Sequence, residues 1–171
     1  LIDSLPVKPS IIAISEVKYK NKKSFGIAEL NLEGYTIFCN DLDNSSRGVL
    51  IYVDELIAST QINLGSQYEE YVFVQINSND GNKLLIGNVY RSPSSNLEND
   101  ESLYEMVNMA CSHKVKDLII VGDFNFRNIN WERWESESSS KVEHKFLSVL
   151  RDRLLLQHVN LPTRARGTQE P

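Results

Sequence analysis

The segment at residues 118–125, LIIVGDFN, is the feature that most constrains the fold of this chain. Four apolar residues, three of them β-branched, lead directly into a glycine, which is typical of a buried β-strand. Asp123 and Asn125 follow at alternate positions. Open α/β sheets bind ligands beyond the carboxyl ends of their strands. These two side chains are therefore candidates for binding a hard cation, a water molecule or a phosphate oxygen.

Length and composition favour one globular domain, because 171 residues are enough to bury a substantial core. A net charge of −5 argues against a general polyanion binder, although lysines cluster at residues 18–23 and arginines at 164–166. Cys39 and Cys111 match neither a disulfide framework nor a zinc site, which favours a reduced, intracellular setting. No apolar run approaches the roughly 20 residues that span a bilayer. Because the chain lacks an initial methionine and ends in a polar stretch, we expect it to be part of a longer product.

Hydrophobic patterning predicts a mixed sheet system with helices packed outside. Strands are predicted at residues 11–15 (buried), 35–40, 48–53, 68–76, 83–90, 117–121 and 157–159. The polar segment 41–47 is predicted to form a hairpin loop, and Asp80-Gly81 a second tight turn. Apolar residues at 103, 106, 107 and 110 predict a helix with Asp100 as its N-cap, and residues 142–154 a second helix.

Polar side chains stand at the ends of three predicted strands. Glu16 follows the first strand, Tyr90 and Arg91 end the 83–90 strand, and Asp123 and Asn125 end the last long strand. If these strands lie side by side in one orientation, the five side chains converge on one rim. A carboxylate pair suits Mg²⁺, and an arginine with a tyrosine suits a phosphate oxygen. The combination predicts metal-assisted hydrolysis of a phosphodiester.

Each of these residues also has a purely structural explanation. A carboxylate after a strand is more often a turn residue or a helix cap than a ligand, and Asn125 could form an Asx-turn. Arg91 could be a solvated loop charge, and Tyr90 an aromatic residue at a sheet edge. The joint occurrence of the set at three strand ends favours the functional interpretation.

Four short motifs occur in a characteristic order along the chain. They are Ser-Glu at 15–16, Arg-Gly-Val at 47–49, Asn-Val-Tyr-Arg-Ser-Pro at 88–93 and Gly-Asp-Phe-Asn at 122–125. Together they resemble the endonuclease/exonuclease/phosphatase superfamily, most closely the apurinic-type endonuclease domains of non-LTR (LINE-like) retrotransposons. The resemblance implies an α/β fold of the α+β type, a four-layered sandwich of two mixed β-sheets flanked by helices. It implies a single domain over residues 1–171 that lacks its first strand and its C-terminal catalytic segment.

The resemblance also implies a role for each matching residue. Glu16 would be a metal ligand, and Asp123 would bind the metal and position or deprotonate the attacking water. Asn125 would hold the scissile phosphate, and Tyr90 would face that phosphate near the transition state. The implied substrate-binding residues are Arg47, Arg91, which steadies the loop or a backbone phosphate, and Thr163.

The implied function is that of a DNA-nicking endonuclease domain of a retrotransposon polyprotein, dependent on Mg²⁺ or Mn²⁺. DNA would be its partner and a reverse transcriptase domain would accompany it in the full-length product. The resemblance further implies a monomer with no membrane association, intracellular and not secreted, and nuclear if the parent element is functional.

Two departures from the family pattern predict weak activity. The family's metal-binding asparagine on the first strand and its terminal Ser-Asp-His have no match here, and His113, His144 and His158 do not fit that place. We therefore expect the isolated chain to cleave nucleic acid very poorly or not at all, and to be marginally stable with an unpaired sheet edge. Two alternatives stay open: a phosphatase or phosphodiesterase acting on small phosphorylated molecules, and a non-catalytic remnant of the fold.

Overall fold

The computed structural model describes residues 5–18, 27–42, 47–78, 80–136 and 141–159. The chain comprises two compact units, Leu1–Asn125 and Phe126–Pro171. The first contains β1 (Ile11–Ser15), a 3₁₀ helix (Ile27–Leu30), β2 (Tyr35–Cys39), β3 (Val49–Asp54), β4 (Ser59–Ile62), β5 (Tyr71–Asn77), β6 (Lys83–Tyr90), α1 (Leu97–Cys111) and β7 (Asp117–Asp123). The second contains β8 (Ile129–Asn130), β9 (Glu135–Ser136) and α2 (Lys141–Asp152). The α+β class is confirmed.

Two sheets form the body of the first unit. One is antiparallel with the strand order β1-β3-β2, and the other has the order β4-β5-β6-β7. Only the second sheet is mixed, because β6 and β7 run parallel while its other pairs are antiparallel. The predicted hairpins are confirmed, since β2 pairs with β3 and β5 pairs with β6. Strand β4, which has the largely polar sequence STQI, was not predicted.

Alternation of side chains along the strands builds the layers of the first unit. One face of β3 packs against β5 and β6, and this core consists of Val49, Ile51, Val53, Val72, Val74, Ile86 and Tyr90. The opposite face of β3 packs beneath the 3₁₀ helix, where the Tyr52 hydroxyl donates to the Leu30 carbonyl. On the far side of the second sheet, His113, which follows α1, forms a hydrogen bond with Gln75 of β5. Helix, sheet, sheet and helix thus follow one another, as the predicted four-layered sandwich requires.

Helix α1 begins one turn earlier than predicted. Asn96 is the N-cap, and its side-chain oxygen accepts a hydrogen bond from the Asn99 backbone N–H at 2.8 Å. The prediction of Asp100 as the cap was wrong. Asp100 lies inside the first turn, is 1 % exposed, and binds Arg91. Both residue types are favoured caps, so the sequence pattern did not reveal that the carboxylate serves a tertiary contact.

Strands β1 and β7 are less buried than their apolar sequences predicted. Within the described residues each has a neighbour on one side only, β3 for β1 and β6 for β7. Ile119 is 47 % exposed and Val121 is 37 % exposed. A cleft of about 440 Å³ lies between these strands, lined mainly by apolar residues such as Ile11 and Ala13, together with Ser15 and Asn88. An apolar run indicates a strand, but its burial depends on neighbours that local sequence does not specify.

In the second unit, α2 covers a short hairpin of β8 and β9. Its Phe146 ring stacks on Phe126 at 4.4 Å between centroids. The buried Glu143 carboxylate accepts hydrogen bonds from the Asn128 backbone N–H and the Ser136 hydroxyl. The prediction of a strand at 157–159 was wrong: these residues have no regular secondary structure. Across the part of the chain that is described, no helix combines the length and apolar character needed to cross a membrane.

Candidate active site

The parallel pairing of β6 with β7 places two of the predicted residues side by side. Tyr90 and Asp123 are register partners at the ends of these strands, and the Arg91 backbone N–H donates to the Asp123 carbonyl at 2.8 Å. Gly122 permits this close approach. It has φ +135°, and a Cβ at this position would lie 1.8 Å from the Val89 carbonyl oxygen. Glycine is therefore needed next to the candidate catalytic aspartate.

Glu16 reaches the same rim from the other sheet. It directly follows β1 and has φ +57°, a left-handed conformation that is uncommon for a residue with a side chain. Its carboxylate lies 3.6 Å from a guanidinium nitrogen of Arg47, and its negative charge acts on the Tyr90 hydroxyl. The condition stated above, that all three strands lie side by side, is not met. β6 and β7 are neighbours, whereas β1 belongs to the facing sheet.

The Tyr90 hydroxyl is the point at which the predicted groups meet. Burial raises its pKa to about 12, assisted by the Glu16 carboxylate and by the charge of Asp123, while Arg47 opposes the shift. The phenol is therefore protonated throughout the neutral pH range. Arg47 contacts Glu16, and Tyr90 is the register partner of Asp123, so four residues from distant parts of the sequence lie at this rim.

Glu70 anchors the loop that carries Arg47. The backbone N–H groups of Arg47 and Gly48 donate to its two carboxylate oxygens at 2.9 and 3.0 Å. Sequence reasoning missed this residue, because in a predicted strand at 68–76 it occupied an ordinary polar position. Its partners are backbone groups of another loop, and no local pattern indicates such a contact.

Arg91 and Asn125 brace one another behind the rim. The Arg91 guanidinium is 8 % exposed and binds both carboxylate oxygens of Asp100, at 2.7 and 2.9 Å. Its remaining terminal nitrogen donates to the Asn125 carbonyl at 3.4 Å, and the Asn125 side-chain amide donates back to the Arg91 carbonyl at 2.8 Å. The Asn125 backbone N–H donates to Asp123 Oδ1 at 3.1 Å, which closes an Asx-turn. This geometry favours the loop-steadying role for Arg91.

The chemistry of the donor set suits a hard divalent cation. Mg²⁺ is usually bound through one or two carboxylates and keeps several of its waters. Glu16 and Asp123 supply two such carboxylates beside the Tyr90 hydroxyl. Among the described residues, no group of three or more His, Cys, Asp or Glu side chains is arranged to hold a metal ion. Thr163 lies outside the described residues.

The comparison with protein families decides the assignment. The model of a family described as endonuclease-reverse transcriptase matches residues 84–170. The chain belongs to this family. The endonuclease-reverse transcriptase match includes Tyr90, Arg91, Asp123 and Asn125, so the resemblance inferred from the motifs is confirmed.

The fold is similar to that of a solved endonuclease domain from TRAS1, a telomere-specific non-LTR retrotransposon. The TM-score is 0.60 at 18 % sequence identity, with 85 % of this chain and 60 % of that chain covered. At this identity the likeness concerns the fold alone, and this member of the endonuclease-reverse transcriptase family spans less than two thirds of the TRAS1 domain. A search of curated proteins found no match.

Proposed function

We propose that this chain is a DNA-nicking endonuclease domain that hydrolyses phosphodiester bonds with the help of Mg²⁺ or Mn²⁺. One observation carries the proposal: Asp123 is the register partner of Tyr90 in one sheet, and the Glu16 carboxylate, which follows a strand of the other sheet, acts on the same phenol. Family membership supports a nucleic acid as the substrate. A companion reverse transcriptase domain and a monomeric state belong to the same proposal.

Glu16 and Asp123 are the proposed metal ligands. When bound, the ion would act as a Lewis acid on a phosphate oxygen. The Arg47 guanidinium forms an ion pair with the Glu16 carboxylate at 3.6 Å and is partly exposed, so it can turn towards an arriving phosphate while remaining at the rim. Its charge-assisted hydrogen bond would neutralise one non-bridging oxygen. Thr163 stays a predicted substrate contact.

Asp123 and Asn125 are the proposed water- and phosphate-positioning residues. Asp123 Oδ1 is held by the Asn125 backbone N–H, which fixes the direction in which the carboxylate faces. That carboxylate can orient a water molecule and accept its proton. The Asn125 amide has a second hydrogen besides the one it donates to the Arg91 carbonyl, and this hydrogen can be donated to a phosphate oxygen.

Tyr90 acts as a neutral hydrogen-bond donor in this proposal. Because its pKa is raised to about 12, its hydroxyl keeps the proton at the pH of a nuclease reaction. This hydroxyl can donate to a phosphate oxygen on which negative charge develops. Arg91 contacts Asp100 and Asn125, so we assign it to positioning the Asn125 loop, not to binding phosphate directly.

Metal binding provides the first test. Titration calorimetry with Mn²⁺ should detect a site in the wild-type chain that is weakened at least tenfold in both Glu16→Gln and Asp123→Asn, in line with the loss of a charged ligand. Asp117→Asn is the matched control, because Asp117 begins the strand that ends at Asp123 and is exposed. Mn²⁺ affinity unchanged by Glu16→Gln and Asp123→Asn would contradict the proposed site.

Substrate choice provides the second test. A supercoiled-plasmid assay with Mg²⁺ should show slow nicking that Asp123→Asn abolishes and Asp117→Asn leaves unchanged. The same preparations should release no inorganic phosphate from small phosphorylated molecules. Phosphate release without nicking would favour the phosphatase alternative. A metal site without either activity would favour a non-catalytic remnant.

A further inference from the structure

Asn88 is a buried carboxamide that links the two sheets close to the candidate active site. It lies in β6 and is 1 % exposed. Its side-chain nitrogen donates to the carbonyls of Ile14 and Leu50, at 2.9 and 3.0 Å, and its side-chain oxygen accepts from the Ser15 hydroxyl at 3.1 Å. Both amide hydrogens of Asn88 and one acceptor site of its oxygen thus form hydrogen bonds with strands β1 and β3 of the facing sheet.

The position of Asn88 connects two proposed active-site residues. Asn88 lies two residues before Tyr90, and alternate residues of a strand share one face. Its partner Ser15 directly precedes Glu16. The Asn88 hydrogen bonds therefore fix the end of β1 relative to the end of β6, and this spacing sets how Glu16 faces Tyr90.

Little else in the described residues orients β1 against β6. β1 has a ladder partner on one side, β3, and the two sheets otherwise meet mainly through apolar side chains, whose attraction is not directional. Other side-chain hydrogen bonds between the sheets hold different strands. Asn40, which follows β2, donates to the Glu69 carbonyl, and Glu70 holds the loop before β3.

Glu16 needs such external support because its backbone is in an unfavourable region. At φ +57° a residue with a Cβ is strained and persists only where its surroundings hold it. On one side it is held by the bond from Ser15 to Asn88, and on the other by the Val17 N–H, which donates to the Gly48 carbonyl at 3.2 Å.

We propose that Asn88 is a positioning residue, which holds the end of β1 so that the Glu16 carboxylate faces Tyr90 and can serve as a metal ligand. This inference rests on the proposed function. The role requires an amide, because two carbonyl oxygens need donors and a carboxylate would offer none while adding a buried charge. Ser15 contributes a single bond to the same linkage.

Asn88→Ala and a matched control, Asn40→Ala, test the proposal. Asn40 is also a buried carboxamide that bonds across the sheets, accepting from the Val49 N–H and donating to the Glu69 carbonyl, but it follows β2. The first readout is the nuclear Overhauser effect between the Tyr90 ring and the Glu16 side chain. The second is Mn²⁺ affinity by calorimetry, and the third is the melting temperature.

Both alanine variants should melt at a lower temperature than the wild type, but only Asn88→Ala should lose the nuclear Overhauser effect between Tyr90 and Glu16. Its Mn²⁺ affinity should fall about tenfold or more, as is typical when support of a metal ligand is removed. If Asn88→Ala does not fold, Ser15→Ala takes its place and should weaken the same effect. A folded variant with the wild-type Overhauser effect and Mn²⁺ affinity would overturn the proposal.

The two proposals fail in different ways. If the wild-type chain binds no Mn²⁺, the proposed metal site is wrong, and loss of the Overhauser effect in Asn88→Ala still supports the positioning of Glu16. If Mn²⁺ binds through Glu16 but Asn88→Ala leaves both readouts unchanged, the metal site stands and the inference about Asn88 is wrong.

Discussion

Asp100→Asn should destabilise the protein far more than an ordinary surface substitution. The side chains of Arg91 and Asp100 are 8 % and 2 % exposed, and two hydrogen bonds of 2.7 and 2.9 Å join them. Removing the carboxylate charge leaves a guanidinium buried without its counter-charge. Breaking such a pair on one side costs about 3–5 kcal/mol, out of a total stability of roughly 5–15 kcal/mol for a typical domain.

Equilibrium unfolding in urea measures this loss. An asparagine keeps the shape of the side chain and one acceptor, so we place Asp100→Asn near 3 kcal/mol and Asp100→Ala higher. With a slope of about 2 kcal/mol per molar, a loss of 3 kcal/mol lowers the urea midpoint by about 1.5 M. The slope itself should not change, since the substitution leaves the surface exposed on unfolding nearly the same.

Two comparisons separate the buried charge from a general effect of substitution. The double variant Arg91→Met, Asp100→Leu removes both charges and should be closer to wild type than Asp100→Asn. Asp54→Asn breaks the more exposed pair of Lys8 and Asp54, 3.1 Å apart, and should change the midpoint little. A loss below about 1 kcal/mol for Asp100→Asn, or a double variant as unstable as the single one, would refute the reasoning.

Three further predictions have defined outcomes. Gly122→Ala should lower the free energy of unfolding in urea by more than about 3 kcal/mol, because the added Cβ would lie 1.8 Å from a carbonyl oxygen. Gly81→Ala is the control: Gly81 has φ +82° and nothing within 4 Å of an added Cβ, so the loss should be roughly 1–2 kcal/mol. The stability of the wild-type protein should fall as pH rises from about 10 to about 12. The reason is that folding raises the Tyr90 pKa, so the folded state holds this proton more tightly than the unfolded state does. Urea unfolding of Tyr90→Phe across the same pH range should show a smaller loss of stability. Asn96→Ala should lower helix stability by about 1 kcal/mol in thermal melts followed by circular dichroism, since it removes the observed cap.

Much of the candidate site could be predicted because its residues stand where strands end. The strand at 83–90 was predicted with the observed bounds, and the strand ending at Asp123 was two residues short. Turn residues and the alternation of apolar and polar side chains are local signals, so they can be recognised from a single sequence. Tyr90, Asp123 and Glu16 were therefore placed correctly at strand ends before their contacts were known.

The supporting residues could not be predicted in the same way. Asp100 has the sequence properties of a helix cap, and Glu70 those of a polar strand position, yet both bind groups from other elements. Asn88 belongs to a sequence motif, but its hydrogen bonds to β1 and β3 depend on how the two sheets face one another. Such partners are distant in sequence, and the hydrophobic periodicity of the sequence does not indicate them.

The amino-acid sequence by itself determined most of the strand segments, the hairpins, the helical faces and the family, because each follows from neighbouring residues and short motifs. Tertiary structure alone decided that β1 faces β6 across two sheets, that β1 and β7 have a neighbour on one side within the described residues, and that Arg91 pairs with Asp100. The physical reason is the range of the interactions. Propensity and alternation act over a few residues, whereas sheet membership, burial and ion pairing depend on segments that meet only after the chain has folded.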